Sequence, residues 1–529
     1  VNRQLTVVSD HPTPRRVALS TVVVMAAMLG STILGFVREV LNARYFGASG
    51  AMDAFLVAIV VPTILFGVFN GALVSGLVPI FAEYLTAGAE DVAWRLASTL
   101  LIGLALVLTL AAALGAWFAP VYVPWMARFD GVRLALAIHM TQALMPTIVA
   151  TSLAGVIAAL LNAYHRFTWT ALQGVAANVL TIAIVVAMFS RWGIGALVAG
   201  SLAGAFAQLA VQLPALVALR KFRFTFQLAH PGIRRLLAVL APIVIGSAAG
   251  QAAMFFDRYF ASGLSVGSIA GMNYAVKLVG LPQQIFVTAI ATVIFPVFAA
   301  QFASKNRAAM RRSIATGLKM VIFLTLPSAV GLAMLAQPIV QTLFERGAFT
   351  PDATALCAAL LPYAALGLVA LAANVVLTRY LFASGNVRTP IAVSIATVAL
   401  NVGLSILWLP ALGARGLLLA NAVSQSLQSL TLAVIVWKLL AGFDVRGILV
   451  SIGRVAACSA VMALALAVVQ IYGAAPGPSL MARVTILMEH LLFGGAVFLA
   501  LARIVDSEEV HLAIDLLLRR KTRELIPLP

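Results

Sequence analysis

Apolar runs long enough to cross a bilayer recur along almost the whole of this chain, separated only by short polar turns. That one feature leaves few folds open. In lipid every backbone N–H and C=O must find a partner inside the protein, so only helices or a closed barrel can span. The runs mix Leu, Ala and Gly with β-branched residues and lack a period of two, which excludes an outer-membrane barrel. Charged residues make up 10% of the sequence and hydrophobic ones 62%, against about 25% charge in a soluble globule. The expectation is an all-α polytopic membrane protein with fourteen transmembrane helices. They lie near 17–43, 51–85, 92–118, 134–161, 168–190, 194–219, 233–262, 267–301, 313–335, 353–383, 389–409, 414–440, 447–472 and 480–505. The second, eighth and tenth exceed the length a bilayer needs and are expected to tilt, kink or protrude; Pro62 and Pro282 fall inside two of them. The first span follows Arg15 and Arg16 as a signal core would, but it runs on too far and is read as a retained helix.

The formal net charge is +18. Its placement argues against nucleic acid. Arg220, Lys221, Arg223, Arg234 and Arg235 crowd one even-numbered loop, and Lys305, Arg307, Arg311 and Arg312 another. This is the positive-inside pattern, with both termini cytoplasmic and with attraction to anionic membrane lipids. Residues 506–529 include "VHLAIDLLLRRKTREL", read as an amphipathic cytoplasmic tail on the inner leaflet. Cys357 and Cys458 lie in separate apolar segments, and the six histidines are scattered without metal-ligand spacing. HExxH, P-loop and strand-based dinucleotide motifs are absent, so the chain is expected not to be an enzyme and to use no cofactor beyond an unidentified coupling ion. "GSLAG" (200–204) and "GSAAG" (246–250) read as close helix packing rather than phosphate loops.

The sequence meets itself at an offset of 220 residues. Phe36 falls on Phe256, Arg38 on Arg258, Met52 on Met272 and Pro62 on Pro282, while Asp53 falls on Asn273. Spans one to six thus resemble spans seven to twelve. Six is even, so both halves enter from the same side, which is a parallel repeat of the kind found in secondary transporters. The domain reading is a cytoplasmic N-terminal segment 1–16, an N-lobe 17–225, a C-lobe 226–441, spans thirteen and fourteen in 442–505, and the tail 506–529.

A charge near the bilayer centre costs roughly 2.5–3.5 kcal/mol on insertion scales, so intramembrane charges mark either snorkelling or use. Arg38 and Arg258 are repeat mates. Lys277 sits about 15 Å into span eight at 1.5 Å per residue, too deep without a watery cavity or a partner. Glu39 and Asp257 adjoin the arginines and balance them without facing them on an ideal helix. Asp53 is placed to pair with Arg38 across the turn. Glu489, deep in span fourteen, is a candidate coupling site or a partner of Arg483. More cations than free carboxylates suggest an anionic substrate, since guanidinium forks match phosphate oxygens and lysine adds a point charge.

The words "LGFVREVLNARYFGASGAMDAFLVA", "VPIFAEY", "FERGAFT" and "LFASGNVRTP" resemble the lipid II flippases, the MurJ or MviN family of the multidrug/oligosaccharidyl-lipid/polysaccharide exporter superfamily. The resemblance covers most of the chain. It implies two six-helix lobes around a cationic cavity, and two last helices framing a groove for a polyprenyl tail. Arg38 matches the family's first-span arginine, Asp53 its second-span aspartate, and Lys277 stands where the family has an arginine. Thr32, Phe66 and Gly67 occupy positions where many members carry arginine. The implied function is translocation of a polyprenyl-diphosphate-linked saccharide, lipid II, in the bacterial inner membrane, with cell-wall synthesis proteins as possible partners. An exopolysaccharide repeat-unit flippase, a cation-coupled multidrug exporter and a non-transporting cell-wall scaffold stay open as alternatives.

Overall fold

The structure is a computed structural model that describes residues 14–219, 232–233, 251–472, 479–505 and 510, together with 221, 225, 227 and 477. Thirteen helices among the described residues are long and apolar enough to cross a membrane, in the order expected. The seventh expected span, 233–262, falls largely outside the described residues, as do "GSAAG" and all of the 506–529 tail but Val510; the part at 251–262 is helical.

The three long spans all break, each at a residue that explains it. The second divides into Gly50–Ala58 and Val60–Thr86. Pro62 has no N–H to give the carbonyl four residues back, at Ala58. The eighth runs Ser268–Pro282, passes through one wide π-turn at Gln283–Val287, and resumes as Thr288–Ala303. The tenth divides at Gly367 into Pro351–Leu366 and Leu368–Ala383.

The repeat has a backbone signature. Left-handed φ occurs at Gly47 and Gly267, at His165 and Gly385, and at Gly193 and Gly413, each pair 220 residues apart. Gly193 (φ 51°, ψ −129°) and Gly413 (φ 56°, ψ −133°) end equivalent helices with nearly one conformation. Short helices also recur after the third and ninth spans, at Ala119–Met126 and Ala336–Phe344.

Two compact units emerge. The first comprises the described residues of 1–42, 57–125 and 130–251. Its core joins Leu77, Phe81, Trp94, Leu96, Ile157 and Leu161 from the helices Val60–Thr86, Glu90–Trp117 and Thr147–Ala163. Polar groups close that core at one end. Trp94 Nε1 donates to Tyr164 Oη at 2.8 Å, and Tyr164 in turn donates to Glu90 at 2.6 Å. Burial first, then the bond to Glu90, push the Tyr164 phenol up, so it stays a donor. "GSLAG" packs as expected: a Cβ on Gly204 would lie 2.4 Å from Thr181 Oγ1, and one on Gly200 3.0 Å from the Thr181 carbonyl.

The second unit comprises the described residues of 43–56, 126–129 and 252–529. Its core gathers Phe298, Ile314, Leu318, Val376, Leu377 and Leu432 from four spans. "FERGAFT" forms its turn at Gly347, φ +63°, where a Cβ would meet the Arg44 carbonyl at 2.4 Å. Ala348 N donates to that same carbonyl at 2.8 Å. Arg346 is half-buried in this turn, and burial, reinforced by the Arg44 charge, lowers its pKa.

Candidate functional site

Arg38 belongs to the first unit. It is half-buried and donates from Nη2 to Glu39 Oε1 at 3.1 Å, with Glu39 itself 7% exposed. Neighbours on a helix point about 100° apart, and the two were expected not to face one another. The arginine stem is long enough to fold its head back onto the adjacent carboxylate, which corrects that expectation.

Asp53 belongs to the second unit and is 2% exposed. The helix Ser268–Pro282 begins at Gly267 in left-handed conformation, and no side chain of its own caps it. Asp53 supplies the cap from far away in sequence. Its Oδ2 accepts from Gly267 N at 2.6 Å and its Oδ1 from Ala270 N at 2.8 Å. A carboxylate at a helix N-terminus satisfies orphan amides and opposes the positive end of the dipole. Within its own unit Arg38 is bound by Glu39, and within its own unit Asp53 accepts from two backbone amides. Backbone geometry made the difference, since the turn at Gly267 aims two N–H groups at one carboxylate.

The capped helix carries Lys277 into a cavity of about 420 Å³ within the second unit. Arg258 and Asp257 line it from 251–262. Arg258 is oriented by Asn273, whose Oδ1 accepts from Nη2 at 3.1 Å, and by the Ile269 carbonyl at 3.4 Å. The repeat mate of Asp53 thus holds the repeat mate of Arg38. Asp257 Oδ1 accepts from Asn401 Nδ2 at 3.5 Å. Lys277 is exposed and, among the described residues, has neither ion-pair nor hydrogen-bond partner. Two cations therefore meet one carboxylate in this cavity.

The rest of the wall is neutral and was missed. Gln283, Asn421 and Gln425 face the same space, and Gln425 Oε1 accepts from Asn374 Nδ2 at 2.9 Å. An amide inside an apolar span carries no charge to single it out; the signal available was its spacing on the helix face. The wide π-turn places Gln283, one residue after Pro282, on the cavity side.

Glu489 is exposed on the helix Leu480–Ile504 and forms no ion pair among the described residues. Arg483 was its expected alternative partner. Instead, Arg483 Nη1 pairs with Glu345 at 3.2 Å, because Glu345 in the turn before "RGAFT" reaches it across 138 residues of sequence. On the same helix, His490 is 8% exposed and faces a groove of about 370 Å³ lined by Phe323, Pro327, Met462, Leu466 and Phe498. Both last spans contribute to this groove, which is otherwise almost wholly apolar.

Comparison with known proteins adds four findings. A model of the family described as lipid II flippase MurJ matches residues 42–484. A relative from Burkholderia cenocepacia named lipid II flippase MurJ is 30% identical over 416 residues, covering 76% of this chain and 80% of its own. Among solved structures, a lipid II flippase MurJ in an inward closed conformation aligns with TM-score 0.79 at 24% identity, over 92% of this chain and 98% of that one. An inward-facing multidrug resistance MATE transporter of the MOP superfamily aligns with TM-score 0.70 at 15% identity, over 79% and 98%. At such identities these two likenesses speak to the fold.

Proposed function

This chain belongs to the lipid II flippase MurJ family, and on that premise we propose that it carries lipid II from the inner to the outer leaflet of the bacterial inner membrane by alternating access. The observation that bears the reading is the family match along residues 42–484. The cavity around Lys277 and Arg258 is chemically suited to it, because a diphosphate needs a cation with its donors uncommitted, and Lys277 is one among the described residues. We assign phosphate contact to Lys277 and to Arg38, with Arg258 contributing less because Asp257 adjoins it and Asn273 occupies one edge of its fork. Asp53 acts at one remove, by holding the helix that presents Lys277. The apolar groove that the last two spans form with the eighth and ninth suits the polyprenyl tail. Nothing in this scheme is catalytic. The work is binding and exposure, to which the membrane potential contributes about 2.3 kcal/mol per charge per 100 mV.

The test is rescue. Cells depleted of their own lipid II flippase are expected to recover growth when this chain is expressed, with lipid II measured at the periplasmic face. Normal insertion with no periplasmic lipid II would overturn the proposal.

The positive-inside pattern assigns both termini to the cytoplasm. Single cysteines at His165 and Arg388 are then expected to resist an impermeant label applied from outside. Single cysteines at Ala48 and Gly413 are expected to react. Labelling in the reverse pattern contradicts the orientation and the direction of transport.

A further inference from the structure

One charged group outside the cavity is held in a built setting that the transport scheme does not use. Arg128 lies in the second unit, in the segment 126–129 that precedes the span Gly131–Ala163. Its backbone N–H donates to Ser262 Oγ at 2.8 Å. Its guanidinium sits over the Tyr259 ring, 4.8 Å from the centroid, and Nη2 donates to Tyr259 Oη at 3.1 Å. An exposed arginine ordinarily samples many rotamers; this one is pinned at both ends. Among the described residues it has no carboxylate partner, and the nearby Asp130 is taken by Arg133 at 3.4 Å.

Below the guanidinium an open groove of about 520 Å³ runs between 251–262 and the helix Arg388–Leu412. Phe256, Phe260, Val402, Ile406 and Leu409 wall it, with no acidic side chain among the lining residues. Ile406 is 59% exposed, so the groove faces outward rather than into the unit. Trp408 lies on the same helix within a residue of Leu409, where an interfacial aromatic is expected near a span end. A fixed cation at the water boundary above a strip of aliphatic and aromatic side chains matches one molecule in its surroundings. That is a phospholipid, with its phosphate at the arginine and its acyl chain along the strip.

We propose that Arg128, stacked on Tyr259, and the Phe256–Phe260–Ile406 groove form a binding site for an anionic phospholipid of the bilayer, distinct from the cavity around Lys277. On the orientation given above the site faces the outer leaflet. Its chemistry selects by charge, since a zwitterionic lipid brings its own ammonium to the guanidinium. The site stands whether or not lipid II is the cargo.

The experiment places a bimane fluorophore on Ile406→Cys in the full chain, in nanodiscs of phosphatidylcholine with either brominated phosphatidylglycerol or brominated phosphatidylcholine added as quencher. Brominated phosphatidylglycerol is expected to quench at about tenfold lower mole fraction, the range of one charge-assisted bond. Arg128→Ala is expected to erase that preference, and Arg133→Ala to leave it intact. Arg128→Lys, which keeps the charge, is expected to retain part of it and keeps the result readable if the alanine variant melts early. Equal quenching by the two lipids in the otherwise unaltered chain overturns the site, as does a preference that survives Arg128→Ala. Displacement of phosphatidylglycerol by added lipid II at this position would also overturn it, since the groove would then belong to the cargo. Rescue of flippase-depleted cells is a separate readout, so loss of either conclusion leaves the other testable.

Discussion

Lys277→Gln is expected to abolish rescue of flippase-depleted cells at native expression, and Lys277→Arg to preserve it. Glutamine keeps much of the length and a pair of donors but loses the charge. The lysine lines a cavity with Arg258 and Asp257 and has no partner of its own among the described residues, so its removal leaves nothing else to re-pair. A charge-assisted bond to phosphate is worth roughly 1.5–3 kcal/mol, or about a ten- to hundredfold loss of affinity. Local structure is expected to survive, because an exposed lysine without partners stabilises little. Arg38→Ala is expected to fail in the same assay while inserting normally, although it also strands Glu39, which is buried against it. Arg38→Lys separates these effects by keeping a cation near Glu39. Full rescue by both Lys277→Gln and Arg38→Ala would show that neither residue contacts the substrate's phosphates.

Asp53→Ala is expected to have the largest effect on stability of any single change considered. The variant leaves the amides of Gly267 and Ala270 without an acceptor in a buried place. It also removes a carboxylate that is itself 2% exposed. Each buried amide left without an acceptor costs about 1–3 kcal/mol, so two together exceed the ~1 kcal/mol of an exposed cap. The expected outcome is a markedly lower thermal midpoint in detergent and less protein in the membrane. Asp53→Asn keeps one acceptor oxygen and is expected to fall between. An unchanged midpoint for Asp53→Ala would mean that the helix Ser268–Pro282 does not need its remote cap, and that Asp53 acts in some other way.

Much of the architecture was legible in the amino acids. Span positions follow from apolar run length because the bilayer enforces one thickness, and thirteen of the expected spans appear in order. The repeat was legible as Arg38 against Arg258 and Pro62 against Pro282, and it returns as matched left-handed turns at Gly47 and Gly267 and at Gly193 and Gly413. Proline foretold the breaks in the second and eighth spans. The break in the tenth, at Gly367, follows no proline at that point, and its position was not foreseen.

What a charge is and how deep it sits can be read from sequence, because depth follows from counting residues along a span. Which partner it meets cannot, because that depends on the rotation of each helix and on the angle of each turn. Depth alone leaves Lys277 either a watery cavity or a partner, and it lines a cavity. Asp53 caps the helix Ser268–Pro282 because the turn at Gly267 aims two amides at it, which no count along the chain foretells. Glu39 was set aside by helix geometry, and a flexible stem brought Arg38 back to it. Arg483 found Glu345 rather than Glu489 on its own helix. The neutral wall of Gln283, Asn421 and Gln425 was invisible until helices far apart in sequence packed together. Apolar run length and charge, both local properties, suffice to specify a helical membrane protein with a repeated half and intramembrane cations. Which cations are neutralised and which stay open to a ligand depends on packing across many turns of helix, and so emerges with the folded chain.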